Sequence, residues 1–331
     1  MRAPLNPTTS SIAIVGAGAV GCFHGALLAR AGHRVMLIGR AAHVQAIEQH
    51  GLQLEMGGAT HTVPARASTE LSAACDANLV LVCVKSPDTE ATARAVAPWL
   101  RPDTVVMSLQ NGVDNAAAIA RHVLGPVVPA VVYVATAMTG PGTVRHFGRG
   151  ELVIGALAPR AGDASAASAS PGLLADLAAL FSAAGVPTTV SDDVLAALWS
   201  KLLVNCAYNA LSALGRAPYA RIAEMAPLRE LQQTIVDEVI AVARADGVNL
   251  SREASLTAVQ RIAETMAGQL SSTAQDMMRG KRSEIDHLNG FVARRGAELG
   301  VPAPVNQTLY ALVKLVEAGY PPDGGAMNAA G

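Results

Sequence analysis

The sequence predicts an α/β fold in which an N-terminal doubly wound domain precedes an all-α C-terminal domain. Two observations carry this prediction. Apolar strand-like runs alternate with helical patterns through the first half of the chain, which is typical of a mostly parallel sheet. After residue 190 the pattern is helical almost to the end, and no β-rich run interrupts it. We therefore place one domain over residues 1–190 and a second over residues 191–331.

The expected elements follow from short apolar runs and from helical periodicity. The strand candidates lie at 12–16, 34–38, 79–84, 104–108 and 127–134. Residues 143–155 are interpreted as a hairpin or a pair of edge strands around Gly148-Arg149-Gly150. A low-complexity loop at 158–172, a helix at 173–184 and a strand at 186–190 complete the first domain. The helices expected after it lie at 193–214, 227–246, 251–269, 282–299 and 305–318.

Composition narrows the function classes. The chain has 331 residues with 25 basic and 26 acidic side chains, a balance that does not favour nucleic acid or an anionic membrane as partner. We identify no apolar run long enough to cross a bilayer and no apolar core of a signal peptide in the first ten residues. The four cysteines lack C-x-x-C spacing and are predicted to be reduced core residues. A cytoplasmic protein without a metal site is expected.

A glycine motif lies between the first strand and the first helix. It reads Gly16-Ala17-Gly18-Ala19-Val20-Gly21, the G-x-G-x-x-G pattern of a dinucleotide-binding, Rossmann-type domain. Gly16 suits the tight turn, Gly18 lets the backbone approach a pyrophosphate, and Gly21 lets the helix pack on the strand. The helix N-terminus offers amide groups and a positive dipole end to the phosphates.

Arg40 follows the second strand, where an enzyme that uses NAD usually has an acidic residue. A guanidinium can bind a 2′-phosphate with two charged hydrogen bonds, so this position favours NADP. The alternative is that Arg40 is a solvated loop residue. Two polar clusters, Lys85-Ser86 and Gln110-Asn111-Gly112, end neighbouring strands and should lie at the same edge of the sheet as the cofactor.

Polar residues interrupt the otherwise apolar helix at 193–214. Lys201, Asn205 and Asn209 recur every four residues and therefore share one helical face. Such a face can be a binding surface or a solvated stripe. Ser272-x-x-Gln275 matches a capping box, and Glu284 lies near the start of a predicted helix, so both also have structural explanations.

The motifs together resemble those of the ketopantoate reductases (2-dehydropantoate 2-reductases) over nearly the whole chain. The matching segments are the glycine motif, Val84-Lys85-Ser86, Leu109-Gln110-Asn111-Gly112, residues 201–211, residues 271–276 and Glu284-Ile285-Asp286. The resemblance implies reduction of a 2-oxo acid by NADPH in a homodimer, with the helical domain serving the substrate and dimerisation.

The resemblance also implies residue roles. Lys201 would be the general acid, and Glu284 would close the site beside cofactor and substrate. Lys85 would contact the cofactor, Asn111 both cofactor and substrate, and Ala135 the nicotinamide side. The substrate would be held by Asn205, Asn209 and Ser272.

Two positions depart from the family pattern on the substrate side. Tyr219 stands where many members have an asparagine, and Ala210 stands where Asn-Pro-Leu is common. Three functions therefore stay open: ketopantoate reduction, NADPH-dependent reduction of another 2-oxo acid, and dinucleotide sensing without turnover.

Overall fold

The computed structural model describes residues 9–157 and 168–320. The chain divides into two compact units, Met1–Val194 and Leu195–Gly331, four residues beyond the boundary expected from the sequence. Most of the low-complexity loop and the start of the N-terminal tail lie outside the described residues.

The first unit contains one ten-stranded sheet with the strand order β4-β3-β9-β8-β7-β6-β1-β2-β5 and β10 beside β9. The strands are β1 Ser11–Val15, β2 Arg34–Ile38, β3 Leu52–Met56, β4 Ala59–Val63, β5 Arg66–Ser68, β6 Leu79–Val82, β7 Val105–Ser108, β8 Val127–Gly140, β9 Thr143–Ile154 and β10 Thr188–Val190. The central strands β8, β7, β6, β1, β2 and β5 are parallel, which confirms the predicted doubly wound α/β fold.

Helices cover both faces of this sheet. They are α1 Ala19–Arg30, α2 Ala41–His50, α3 Thr89–Val96, α4 Asn115–Ala120 and α5 Pro171–Ala183, with 3₁₀ turns at Leu71–Ala74, Ser86–Asp88 and Ala97–Trp99. Alternate residues of β1 belong to two separate cores. Ile12 and Ile14 pack with residues of α1 and α5, whereas Ala13 and Val15 pack with residues of α3 and α4. Both faces are therefore apolar, as parallel strands require.

The structure differs from the predicted strands at two tight turns. β3 and β4 were not predicted, and they form a hairpin around Gly57-Gly58, both of which have positive φ. The hairpin expected around Gly148–Gly150 is wrong: β8 and β9 instead turn at Pro141-Gly142, where Gly142 has a φ of 66°. The prolyl ring and the positive φ fit the two central positions of a type II turn.

Gly148-Arg149-Gly150 lies inside β9 and is an irregularity of the ladder. Val134 of β8 pairs with Arg149 while Tyr133 pairs with Glu151, so Gly150 is an extra residue on β9. Arg149 has a φ of 59°, and its guanidinium lies 4.4 Å from the centre of the Tyr133 ring. An extra residue bends a strand pair and changes its twist.

The second unit is helical throughout the part that the structure describes. Its helices are α6 Val194–Gly215, α7 Tyr219–Glu224, α8 Ala226–Ala245, α9 Arg252–Thr265, α10 Ser272–Met278, α11 Asn289–Leu299 and α12 Pro304–Glu317, with a 3₁₀ turn at Ile285–His287. The short helix α7 was not predicted, and α10 was indicated only by the capping box at Ser272. The helix expected at 282–299 begins only at Asn289, because the 3₁₀ turn replaces its first part.

α6 corrects the expectation that no segment is long and apolar enough to span a membrane. Its mean hydropathy is 1.3 over 18 residues, and 61% of that window is buried. Trp199, Leu203 and Tyr208 are at most 1% exposed. Such burial is what the core helix of a globular unit requires.

All four cysteines are free thiols. Cys22 and Cys206 are buried, and burial raises the pKa of the Cys22 thiol to about 12. Cys75 is exposed, so the prediction that every cysteine is a core residue is wrong for this one.

Candidate active site

The glycine turn after β1 has no room for side chains at its first and last glycines. Gly16 has a φ of 108°, and a Cβ there would lie 2.6 Å from the backbone nitrogen of Val84. A Cβ on Gly21 would lie 2.2 Å from the Gly16 carbonyl oxygen. Both glycines are therefore required by close backbone packing, as the sequence pattern predicts.

Gly18 differs, because a Cβ there would meet no atom within 4 Å. Open space thus lies beside the residue that begins α1, on the side where a ligand can approach the backbone. The first amides of α1 have no carbonyl one turn earlier to bond. Open space beside these donors and the positive helix end fits a pyrophosphate, so the residues present fit a dinucleotide.

The end of β2 is fastened to this turn. The Ile38 carbonyl oxygen accepts hydrogen bonds from the amides of Gly16 and Ala17 at 2.9 and 3.0 Å. A Cβ on Gly39 would lie 2.6 Å from the Cβ of Ala17. The next residue, Arg40, is exposed, and its guanidinium has no hydrogen-bond or ion-pair partner among the described residues. The side chain is therefore available to a ligand bound at the turn.

Lys85, Asn111 and Ala135 come from three strands that are neighbours in the sheet. Lys85 follows β6 and is exposed, and Asn111 follows β7 and is half-buried. The two loops are joined, since the Ser86 hydroxyl donates to the Asn111 carbonyl oxygen at 2.7 Å. Ala135 lies within β8 opposite Gly148, beside the irregularity of β9.

In the second unit, α6 carries Lys201, Asn205 and Asn209 on one face. Lys201 and Asn205 are half-buried, and Asn209 is 4% exposed. The side-chain amides of both asparagines have no hydrogen-bond partner among the described residues. Because amide groups removed from water need partners, these two are suited to bind a polar ligand.

The predicted capping role of Ser272 is wrong, because Ser271 caps α10. The Ser271 hydroxyl accepts from the Ala274 amide at 3.0 Å and donates to the Asn209 carbonyl oxygen at 3.1 Å, and the Ser271 amide donates to Ser212. The Gln275 side chain bonds the Leu270 carbonyl, not the cap. Ser271 thus fastens α10 to α6, while Ser272 is exposed with no side-chain partner among the described residues.

Glu284 precedes the 3₁₀ turn and lies between Ser283 and Asp286, whose side chains are both held by hydrogen bonds to α12. The Ser283 amide and hydroxyl both donate to the Glu317 carboxylate, at 2.8 and 2.6 Å. Asp286 accepts from Tyr310 and Lys314, each at 2.8 Å. Burial would raise the pKa of Asp286, but the hydrogen bonds and positive charge of Lys314 outweigh it and hold that pKa below its usual value.

A buried polar chain joins this segment to α6. The Asn289 side chain donates to the Cys206 carbonyl oxygen at 3.2 Å and to Asn306 at 2.9 Å. Asn306 in turn donates to Glu238, whose carboxylate also accepts the amides of Val305 and Asn306 at the start of α12. The Glu284 segment and the helix that bears Lys201 therefore share one support within the second unit.

Tyr219 is 9% exposed, and its ring centre lies 4.9 Å from that of Tyr208. Burial raises the pKa of the Tyr219 hydroxyl to about 12. This departure from the family pattern thus places an aromatic ring in the core of the second unit. Ala210 is also fully buried.

Comparison with known proteins identifies the family. A family model described as ketopantoate reductase PanE/ApbA matches residues 12–159, and its C-terminal counterpart matches residues 193–317. The chain belongs to the ketopantoate reductase family. The two matched ranges contain the glycine turn and the Lys201 face, respectively.

Relatives of known name cover almost the whole chain. The 2-dehydropantoate 2-reductase of Halobacterium salinarum is 35% identical over 92% of this chain and 98% of the relative. The structure of a ketopantoate reductase from Ralstonia eutropha JMP134 is 52% identical, with a TM-score of 0.85 over 93% of this chain and 98% of that chain. A D-mandelate dehydrogenase solved with NADH and anilino(oxo)acetate is 26% identical, with a TM-score of 0.85 and the same coverage.

Sequence reasoning missed a group of buried polar residues beside Lys85 and Asn111. Thr89 and Asn115 are 3% and 4% exposed and bond to each other. Their only sequence signal is a polar residue in the first turn of a helix, which a helix terminus explains equally well.

Proposed function

We propose that this protein reduces 2-dehydropantoate (ketopantoate) to (R)-pantoate with NADPH, a step of pantothenate and coenzyme A synthesis. The observation that carries the proposal is the face of α6, where Lys201 lies one and two turns before two asparagine amides that lack described partners. Ser271, the residue before Ser272, donates to the main-chain carbonyl oxygen of the second of these asparagines.

The first unit would hold the cofactor. The glycine turn from Gly16 to Gly21 would hold the pyrophosphate, with the amides of Ala19, Val20 and Gly21 as donors because those of Gly16, Ala17 and Gly18 already bond backbone carbonyls. Arg40 would bind the 2′-phosphate. Lys85, Asn111 and Ala135 would contact the remaining parts. When bound, the reduced nicotinamide supplies the hydride that the carbonyl carbon of the substrate receives.

The second unit would hold the 2-oxo acid and deliver the proton. Asn205, Asn209 and Ser272 donate hydrogen bonds to the carboxylate and other oxygens of the substrate. As the carbonyl oxygen gains negative charge, the Lys201 ammonium stabilises it and transfers a proton to it, which gives the 2-hydroxy acid. Glu284 accepts a hydrogen bond from a substrate hydroxyl, and a site built in this way rejects analogues that lack the hydroxyl.

A second candidate is NADPH-dependent reduction of another 2-oxo acid. Tyr219 favours it, because a buried aromatic ring replaces an amide that many members use for the substrate. The relative named D-mandelate dehydrogenase points the same way. Turnover of ketopantoate, pyruvate, 2-oxoisovalerate, oxaloacetate and phenylglyoxylate separates the two candidates. NADPH binding without oxidation by any of them would instead support a sensor.

Arg40→Ala tests the cofactor proposal. The wild type should prefer NADPH over NADH by at least about tenfold in kcat/KM, since tenfold requires only about 1.4 kcal/mol. The variant should lose this preference through a higher KM for NADPH, with little change for NADH. Arg34→Ala is the matched control, because Arg34 is also exposed but lies at the other end of β2. Equal wild-type rates with both cofactors would contradict the proposal.

We also propose that the protein is a cytoplasmic homodimer that binds neither nucleic acid nor membranes. The near-neutral charge and the family resemblance support this proposal. Light scattering at micromolar concentration should give a mass near twice the 33.9 kDa of the chain. A mass near that of one chain would contradict the dimer.

A further inference from the structure

A cluster of polar side chains is buried where β6 and β7 end. Ser86, Thr89, Gln110 and Asn115 are between 2% and 5% exposed. We call these four residues the latch. None of them has a part in the proposed binding of cofactor or substrate. Because burial of polar groups is costly unless they are paired, their arrangement requires a reason.

The latch converges on the main-chain carbonyl of Asn111. This oxygen accepts the Ser86 hydroxyl at 2.7 Å and the Asn115 side-chain amide at 2.6 Å. Two hydrogen bonds use both of its lone pairs and fix the plane of the peptide. The orientation of Asn111 is thus set from outside its own loop.

The remaining hydrogen bonds of the latch fix which way the side-chain amides of Gln110 and Asn115 face. The Thr89 hydroxyl donates to Asn115 Oδ1 at 2.8 Å and accepts from Gln110 Nε2 at 2.6 Å. Gln110 Oε1 accepts from Ser108, so its nitrogen must face Thr89. Asn115 Oδ1 faces Thr89, so its nitrogen must face Asn111. The Thr89 hydroxyl is central to this network, because it bonds the side-chain amides of both Gln110 and Asn115.

The latch also reaches the glycine turn. Gln110 Nε2 donates to the Val84 carbonyl oxygen at 3.0 Å. The backbone nitrogen of Val84 packs against Gly16, since a Cβ on Gly16 would lie 2.6 Å from it. A continuous set of contacts therefore runs from the glycine turn through Val84 and Gln110 to Asn111.

We propose that Thr89 and Asn115 are positioning residues, whose hydrogen bonds hold the Lys85 and Asn111 loops at the spacing that NADPH requires. The proposal rests on the proposed function only in assigning the cofactor to these loops. It adds that residues which do not touch the cofactor determine how well it binds.

Thr89→Val removes the hydroxyl and keeps the shape of the side chain. The dissociation constant for NADPH, measured by fluorescence titration without substrate, should rise about tenfold, as expected for the loss of buried hydrogen bonds. Thr89→Ser restores the hydroxyl and should stay within about threefold of wild type. Thr92→Val is the matched control on the same helix, since no hydrogen bond of the Thr92 side chain is found among the described residues.

Asn115→Asp gives a second readout. It places a carboxylate oxygen against the Asn111 carbonyl, so two acceptors would face each other at a separation that is now 2.6 Å. NADPH binding should weaken at neutral pH. It should recover relative to wild type as the pH is lowered, because the protonated carboxyl group can donate to the carbonyl.

The outcomes separate the latch from a merely structural role and from the proposed function. If Thr89→Val melts at a lower temperature but binds NADPH with a dissociation constant within twofold of wild type, the latch does not position the cofactor loops and the proposal is wrong. If this variant does not fold, Ser86→Ala, which removes one of the two bonds to the Asn111 carbonyl, decides in the same titration. A wild type that binds NADPH but reduces no 2-oxo acid would overturn the proposed function alone. Failure to bind NADPH or NADH would overturn both.

Discussion

Replacing His24 with leucine should remove much of the acid sensitivity of the first unit. His24 lies in α1, eight residues after Gly16, and is 0% exposed. Its Nδ1 lies 2.9 Å from the Val20 carbonyl oxygen, and its Nε2 is buried without a hydrogen-bond partner in the described parts of the chain. Burial lowers the pKa of the imidazole from 6.5 to about 4, although the hydrogen bond to Val20 opposes the shift.

The magnitude follows from the two pKa values. The unfolded chain binds a proton at His24 near pH 6.5, and the folded chain binds it only near pH 4, so the stability is complete above 6.5 and falls as the pH drops to 4. The gap of roughly 2.5 pKa units corresponds to about 3.4 kcal/mol in the limit. Between pH 7 and pH 5 the loss should be about 2 kcal/mol.

The assay is urea unfolding at pH 7, 6 and 5, followed by far-UV circular dichroism. His24→Leu should lose about 2 kcal/mol less stability than the wild type across this range. His50→Leu, at an exposed position of α2, is the matched control and should keep the wild-type dependence. In a Trp99→Phe background, the fluorescence of the buried Trp199 reports the second unit and should not show the difference. Equal loss in the wild type and His24→Leu would refute the reasoning.

Two further predictions concern the second unit. Lys201→Ala should lower kcat by about 10²–10⁴-fold and remove the alkaline limb of the pH–rate profile, while melting temperature and NADPH affinity stay unchanged. Lys281→Ala, at an exposed position, is the control. If the kcat of Lys201→Ala stays within threefold of wild type, Lys201 is not the acid. Ser271→Ala should cost about 1–3 kcal/mol in urea unfolding, because a helix cap and a buried hydrogen bond are lost. Ser272→Ala should raise the KM for the 2-oxo acid with a stability change of less than about 0.5 kcal/mol, and the reverse pattern in the two serine variants would contradict the assignment.

Local patterns were sufficient for much of the first unit. The central strands are buried on both faces, so their apolar runs are easily recognised in the sequence. The glycine turn is recognisable because Gly16 and Gly21 have no room for a side chain. The hairpin β3–β4 shows where attention to turns would have helped, since Gly57-Gly58 is flanked by the buried Leu52 and Leu54 in alternation. Pro141-Gly142 carried a similar signal for the turn between β8 and β9.

Other features depend on contacts that no local pattern contains. Ser271 and Ser272 are equally suited to cap a helix, and the choice depends on where the Asn209 carbonyl lies in space. The bonds of Thr89 join residues that are more than twenty positions apart in the chain. Sequence periodicity indicates that such residues are polar, but it does not indicate which of them meet.

The exposure of Arg40 has an evolutionary consequence. The backbone of this residue begins α2 and its carbonyl accepts the amides of His43 and Val44, whereas its side chain supports nothing among the described residues. Selection can therefore exchange the guanidinium for an acid or an amide without disturbing the helix or the glycine turn. With the cofactor placed as we propose, a single substitution at Arg40 would change the coenzyme preference at little structural cost, whereas Gly16 and Gly21 have no room for a side chain.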